Sequence, residues 1–175
     1  MSAVPTGESA WTAFRSLSGR TLQDLSESKP TLLVFLRHAG CTFCREALAD
    51  LAARRQEIET RGSQIAIVYQ ESADGMRPLV EKNGLAGIEQ FSDPERKMYE
   101  AFQLHLATFG QLFGLKTFLR GFKAAITGGH GFGGVTSNVY QMPGAFLVHR
   151  GRVVREFRHQ GPSDRPDYSE LACPI

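Results

Sequence analysis

The chain has 175 residues, with 20 basic against 18 acidic side chains, 42% hydrophobic content and 22% charged. That describes one ordinary globular domain, long enough to bury a core without staples. A net charge of +2 is too small to argue for nucleic acid. No run of about eighteen apolar residues exists to span a membrane. The N-terminus lacks a basic region followed by an apolar core, so the expected location is cytoplasmic. Cysteines there stay reduced unless they work, and three cysteines suit one working pair plus one extra thiol.

Residues 1–9 read as a loose tail, and Trp11 to Leu17 as a short helix or packed arm. Gly19 to Leu25 reads as an early strand or turn, closed by the Ser/Lys/Pro cluster that ends at Pro30. The first clear strand is Leu32 to Leu36. It runs through Arg37-His38-Ala39-Gly40 into Cys41-Thr42-Phe43-Cys44 and a helix that extends to about Thr60. Along that helix Phe43, Ala47, Leu48, Leu51 and Ile58 make one apolar face. Asp50 with Arg54 and Glu57 with Arg61 pair on the wet side, and Arg61-Gly62-Ser63 ends it. Gln64 to Tyr69 is a buried strand, so strand, helix and strand imply a right-handed parallel unit.

Asp74 to Lys82 predicts a second helix and Ile88 to Phe91 a brief strand. Asp93-Pro94-Glu95 predicts a third helix that runs to about Phe102. From Glu100 to Glu156 no acidic residue intervenes, while seven phenylalanines and six basic residues do. Thr108 to Thr127 therefore reads as a basic, aromatic helical insertion, followed by the glycine-rich stretch Gly128 to Gly134. It is either a helix that covers the core or an anionic substrate site, a homodimer face or a membrane-surface contact. The glycines make no nucleotide fingerprint, and no motif implies a cofactor. Gly144 to Val148 and Arg152 to Phe157 form a hairpin, and Asp164 to Ala172 a last helix.

Chemistry concentrates at the first strand-to-helix joint. The first turn of a helix offers unpaired N–H groups and the positive end of a dipole, so a thiolate there is stabilised below the free value of about 8.5. Arg37, His38 and Arg45 add positive charge nearby. Two intervening residues suit a bridge within one turn, with Cα atoms about 5–6 Å apart. Cys41 is expected to be the more exposed sulfur and Cys44 to face the packed side. Two other readings stand beside this one. Cys41 and Cys44 are half of a zinc site completed by His38 or another histidine, or they are inert buried thiols.

The segment from Phe35 to Glu46, together with Asp93 to Tyr99 and Pro143 to Val148, resembles thioredoxin-fold proteins of the peroxiredoxin-like branch. These are the alkyl hydroperoxide reductase and thiol-specific antioxidant family, selenoprotein L-like members in particular. The resemblance spans roughly residues 20–172 and implies one α/β domain over 1–175. A mixed central sheet is flanked by helices, and the insertion at 104–139 precedes the C-terminal hairpin. It implies a thiol–disulfide oxidoreductase or peroxidase acting through Cys41 and Cys44, with Arg37 or His38 favouring the thiolate and His38 a candidate proton donor. The implied partners are a peroxide or disulfide substrate and a thioredoxin- or glutathione-type reductant. It further implies a cis-proline at Met142-Pro143, with the Met142 backbone facing the sulfurs to bind substrate.

The family's Pro-x-x-x-Thr-x-x-Cys does not carry over. Its two leading places fall on Arg37 and Cys41 when counted back from Cys44, and on Val34 and His38 when counted from Cys41. Helix-terminus logic makes Cys41 the attacking sulfur, whereas the peroxiredoxin register makes it Cys44. The competing class is a thioredoxin-fold binding module without turnover. Cys173 invites comparison with a C-terminal resolving cysteine. His130 is a candidate to reach the site, and His105, His149 and His159 read as surface or packing residues.

Overall fold

The computed structural model describes residues 8–107, 138, 140–161 and 163–173, without the side chains of residues 8–10. Eleven elements follow in order: α1 (Glu8–Ala13), α2 (Leu22–Ser28), β1 (Thr31–Phe35), α3 (Thr42–Thr60), β2 (Gln64–Tyr69), α4 (Ala73–Lys82), β3 (Glu89–Ser92), α5 (Lys97–Ala101), β4 (Gly144–His149), β5 (Arg152–Arg158) and α6 (Tyr168–Leu171).

The strands form one sheet in the order β3-β2-β1-β4-β5. β1 pairs parallel to β2 from Thr31 opposite Gln64 to Phe35 opposite Val68, and β2 pairs parallel to β3. β4 runs antiparallel to β1 and β5 antiparallel to β4, so the sheet is mixed as expected. Its central position buries all five residues of β1, which is why that strand reads as a continuous apolar run.

Alternation along the strands divides the core. Leu32, Val34, Ile65, Ile67 and Ala145 pack with α3, α4 and Tyr168 of α6. Leu33, Phe35, Ala66, Val68 and Phe146 pack on the other face with Trp11, α2 and α5. There the Phe35 ring lies 5.1 Å from Tyr99 and 5.0 Å from Phe102, centre to centre. α3 buries Cys44, Leu48, Leu51 and Ile58 and pairs Arg61 with Glu57 at 2.7 Å in water.

Three expectations change. Gly19 to Leu25 is not a strand: Thr21 and Asp24 close a capping box, with Thr21 Oγ1 accepting from the Asp24 N–H at 3.0 Å and Asp24 Oδ2 from the Thr21 N–H at 2.9 Å. That reciprocal pair starts α2. Asp93-Pro94-Glu95 forms a turn rather than helix, because Arg96 takes a left-handed conformation at φ 61°. The Asp93 carboxylate still caps α5, accepting from the N–H groups of Lys97, Met98 and Tyr99. The last helix is confined to α6, started by Asp167, whose Oδ1 accepts from Ser169 and Glu170.

The predicted helix Thr108 to Thr127, the glycine-rich stretch after it and His130 lie outside the described residues. The two ends of that segment are tied together, the Ala107 N–H donating to the Tyr140 carbonyl at 2.6 Å beside a bridge between Leu106 and Gln141.

Candidate active site

β1 delivers the site. Where pairing with β2 ends, the Leu36 N–H still donates to the Val68 carbonyl at 2.9 Å. The chain then turns through Arg37 to Gly40, and Cys41 becomes the N-cap residue of α3. The Cys41 N–H donates to the His38 carbonyl at 3.0 Å, which closes the turn. Arg45 Nε donates to the Ala39 carbonyl at 3.1 Å, and Ala39 N–H to Glu71 Oε1 at 2.7 Å. The loop is thus pinned from α3 and from the end of β2.

Cys41 and Cys44 are brought together as free thiols. Both are buried, at 6% and 3% exposure, with Cys41 the more exposed of the two as expected. The apolar cover does not make them inert. The Cys44 thiol donates to the Cys41 sulfur, the largest cause of a Cys41 pKa lowered to about 6. Burial opposes that shift, and the Arg37 guanidinium supports it, with Nη1 3.6 Å from the Cys41 sulfur. The Phe43 and Cys44 amides at the mouth of α3 lower it further, although neither closes a cap hydrogen bond to the sulfur. Cys44 moves the other way: burial first, and its bond to Cys41 second, push its pKa well up. The surroundings thus favour charge on Cys41 and oppose it on Cys44.

Arg37 organises both sulfurs. Its main-chain N–H donates to Cys44 Sγ at 3.0 Å and its Nε to the Gln141 carbonyl at 3.1 Å. Gln70 Nε2 holds its carbonyl at 2.5 Å. His38 does not supply the charge that its place in the sequence suggests. Burial, then the Arg37 charge, lower its pKa to about 4, so it is neutral at pH 7. Its Nδ1 is buried without a partner among the described residues.

Met142-Pro143 is not a cis pair, as no cis peptide bond occurs among the described residues. The trans form is the intrinsic preference even before proline, and local bonds hold the segment in it. The Met142 N–H donates to the His105 carbonyl at 3.2 Å, and the Met142 carbonyl accepts from Gln141 Nε2 at 3.2 Å. Both backbone groups expected to meet an extended substrate are thus already engaged. Pro143 does reach the site and lines a small cavity against Cys44.

Cys173 does not join them. Ser63, just past α3, donates its hydroxyl to the Ala172 carbonyl at 2.6 Å, which places Cys173 at the end of α3 remote from Cys41. No group of three His, Cys, Asp or Glu able to hold a metal occurs among the described residues, so nothing there completes a zinc site. No helix among them is long and apolar enough to cross a membrane.

With this geometry in view, the sequence matches the AhpC/TSA family over residues 16–157. The chain belongs to the AhpC/TSA family. Solved structures agree on the fold. Peroxiredoxin Q of Xanthomonas campestris superposes with TM-score 0.63 at 18% identity, covering 90% of this chain and 87% of that one. Reduced Prx3 of Vibrio vulnificus gives 0.64 at 18%, covering 91% and 90%. Peroxidoxin BcpB of Mycobacterium tuberculosis gives 0.63 at 12%, covering 91% and 87%. A curated relative, the chloroplastic thioredoxin-like protein AAED1 of Arabidopsis thaliana, is 29% identical over 82 residues, which is 47% of this chain and a third of that protein. The resemblance read from the cysteine segment, the Asp93 turn and the Pro143 strand is thereby borne out as a thioredoxin-like, peroxiredoxin-like fold.

Sequence reasoning missed several residues that hold this AhpC/TSA site. Gln141 accepts from Arg37 and donates back to the Leu104 carbonyl at 2.9 Å. Buried Tyr99 donates its hydroxyl to the Leu36 carbonyl at 2.5 Å, one residue before Arg37. Only the Asp93-to-Tyr99 match hinted at Tyr99. Nothing local marks Gln141 or Gln70, whose partners come from distant segments.

Proposed function

We propose that this protein is a thiol-based oxidoreductase of the peroxidase kind, with Cys41 as the attacking thiolate and Cys44 as the resolving thiol. The observation that carries the reading is the placing of two buried cysteines at the mouth of α3, the Arg37 guanidinium 3.6 Å from the Cys41 sulfur and the Arg37 amide 3.0 Å from the Cys44 sulfur, where charge is favoured on the first and opposed on the second. A thiolate attacks the O–O bond of a peroxide and leaves as sulfenic acid with loss of hydroxide or alkoxide. The neighbouring thiol then displaces hydroxide from the sulfenic sulfur and forms a disulfide. A thioredoxin- or glutathione-type reductant reopens it.

Cys41, a residue only 6% exposed, favours a small oxidant over a protein disulfide, because a second chain needs an accessible sulfur and a free backbone edge, and Met142 offers neither group unpaired. Cys41 rather than Cys44 is the attacking sulfur in this reading, since only the thiolate is nucleophilic and burial disfavours charge on Cys44.

The test is one equivalent of hydrogen peroxide added to the reduced protein, with products read by mass spectrometry. The reading expects a Cys41–Cys44 disulfide in the unaltered chain, a trapped sulfenic acid on Cys41 in Cys44→Ser, and neither in Cys41→Ser. Rapid reaction with an oxidised peptide disulfide but none with peroxide replaces peroxidase by disulfide exchange. No reaction with either leaves a binding module.

A further inference from the structure

Arg37 meets the sulfurs from a fixed pose, and that pose is held from elsewhere. Gln70 directly follows β2, the strand beside β1, and is buried at 4% exposure. A buried amide must find partners for both of its ends. Its Nε2 donates to the Arg37 carbonyl at 2.5 Å and lies 3.4 Å from the Asn138 carbonyl. Its Oε1 accepts from the Asn138 N–H at 3.2 Å. Carbonyls on one side and an N–H on the other fix which way the amide points.

These bonds belong to a closed ring. Arg37 Nε donates to the Gln141 carbonyl at 3.1 Å, and the Gln141 N–H donates to the Asn138 carbonyl at 3.3 Å. The Asn138 N–H then donates to Gln70, and Gln70 back to Arg37. The end of β2, the loop after β1 and the segment before β4 are tied at one point. Arg37 is the member of the ring that meets both sulfurs, its main-chain N–H 3.0 Å from Cys44 Sγ and its Nη1 3.6 Å from Cys41 Sγ. The ring engages its carbonyl and its Nε, one at each end of the residue. A long side chain left to its own torsions would spread its charge over many positions. Holding both ends of Arg37 removes that freedom before the sulfur ionises.

We propose that Gln70 is a positioning residue of this site: its side-chain amide closes the ring that aims the Arg37 N–H at Cys44 and the Arg37 guanidinium at Cys41. This rests on the reading of Cys41 as the attacking sulfur. The groups that act on the Cys41 charge are Cys44 of α3 first, then Arg37 of the loop after β1, with the Cys44 and Phe43 amides adding to them and burial opposing. A change at Gln70 therefore reaches Cys41 by way of Arg37. A purely structural Gln70 would lower stability when lost, and its effect on Cys41 would not depend on the Arg37 side chain.

The experiment is alkylation of the reduced full-length protein by iodoacetamide as a function of pH, mapped to Cys41 by mass spectrometry. Gln70→Met keeps the reach of the side chain and removes its amide. Its midpoint should rise and its rate at pH 7 should fall several-fold, the direction expected of Arg37→Met. In the double variant that carries both changes, Gln70→Met should leave the midpoint where Arg37→Met puts it and alter the rate by less than about twofold. Gln70→Asn, whose amide stops one methylene short, should show the same rise and covers the case in which Gln70→Met does not fold. A midpoint that stays put in a folded Gln70 variant, or a further shift of equal size in the Arg37→Met background, overturns the assignment. Hydrogen peroxide consumption is read separately on the unaltered chain. A Cys41 that alkylates yet leaves peroxide untouched sinks the peroxidase reading, while the midpoints still decide the role of Gln70.

Discussion

The main-chain N–H of Arg37 donates to the Cys44 sulfur at 3.0 Å, while the guanidinium of the same residue stands 3.6 Å from the Cys41 sulfur. One residue thus touches both thiols by different means. Its amide satisfies the sulfur that stays protonated, and its charge favours the sulfur that ionises. Arg37→Met keeps the amide and most of the stem but removes the charge. The Cys41 pKa should rise from about 6, and alkylation by iodoacetamide at pH 7 should slow several-fold. A pH–rate profile of alkylation, mapped to Cys41 by mass spectrometry, checks this. An unshifted midpoint would remove Arg37 from the account.

The same ionisation links stability to pH. The Cys41 pKa is about 6 in the folded protein against 9.0 for the free group, so between those values the unfolded chain binds more protons. Stability should therefore rise with pH across that window and fall as pH drops toward 6. Cys44, raised well above 9.0 in the fold, begins to oppose this as pH nears 9.0, where the unfolded thiol ionises. The Tm of the reduced protein, measured from pH 6 to 9 against Cys41→Ser, should show a difference that widens in favour of the unaltered chain as pH increases.

Tyr99→Phe tests the support beneath the loop. The hydroxyl is fully buried and donates to the Leu36 carbonyl at 2.5 Å, with the Val68 carbonyl 3.3 Å away. Its loss leaves that buried carbonyl short of a donor, at a cost of about 1–3 kcal/mol. For a chain of this length Tm should drop by roughly 2–12 °C. Thermal melts give the value, and Cys41 alkylation in the same variant shows whether the loop moved.

Gly144→Ala probes the start of β4. A Cβ there would meet Leu104 Cδ2 at 2.7 Å and the Phe146 ring at 3.1 Å, inside a filled core. Either neighbour must shift, and overpacking of this kind costs about 1–3 kcal/mol. Leu104 is also the residue whose carbonyl accepts from Gln141, the partner of Arg37. Denaturant melts should show the lost stability, and Cys41 alkylation at pH 7 should slow with it.

The sheet and the joint between β1 and α3 were legible because local pattern and tertiary position agree there. The apolar run 31–36 is the central strand, and the periodic face of α3 is the face that packs. Within Gly19 to Leu25 a helix starts instead of a strand because Thr21 and Asp24, a Thr-x-x-Asp pair visible in the sequence, close a capping box. At Asp93 the cap was recognised but its helix was placed too early, since the left-handed Arg96 carries no sequence mark. Burial of Cys41 was not legible. The Arg37 guanidinium stands 3.6 Å from the Cys41 sulfur and is itself held by the Gln141 carbonyl, more than a hundred residues away in sequence. His159 is a packing residue as expected, its ring edge-on to Phe157 at 5.0 Å.

Cys173 completes the set of thiols, and its position decides its role. The Ser63 hydroxyl holds the Ala172 carbonyl, and Ser169 donates to Glu57 at 2.6 Å, so α6 sits against the C-terminal part of α3. Cys41 lies at the other end of that helix. The nineteen residues of α3 span about 28 Å, which a disulfide, with its Cα atoms within about 7 Å, cannot bridge. Cys44 already stands within hydrogen-bonding reach of the Cys41 sulfur and needs no substitute. Cys173→Ser should therefore form the Cys41–Cys44 disulfide at the unaltered rate and yield, with no Cys41–Cys173 peptide pair in a non-reducing digest of the unaltered protein. A Cys41–Cys173 pair formed within one chain would require α6 to leave α3 during turnover. The ion pairs of Arg165 with Glu46 and Asp50, which tie the segment before α6 to the first half of α3, oppose that departure.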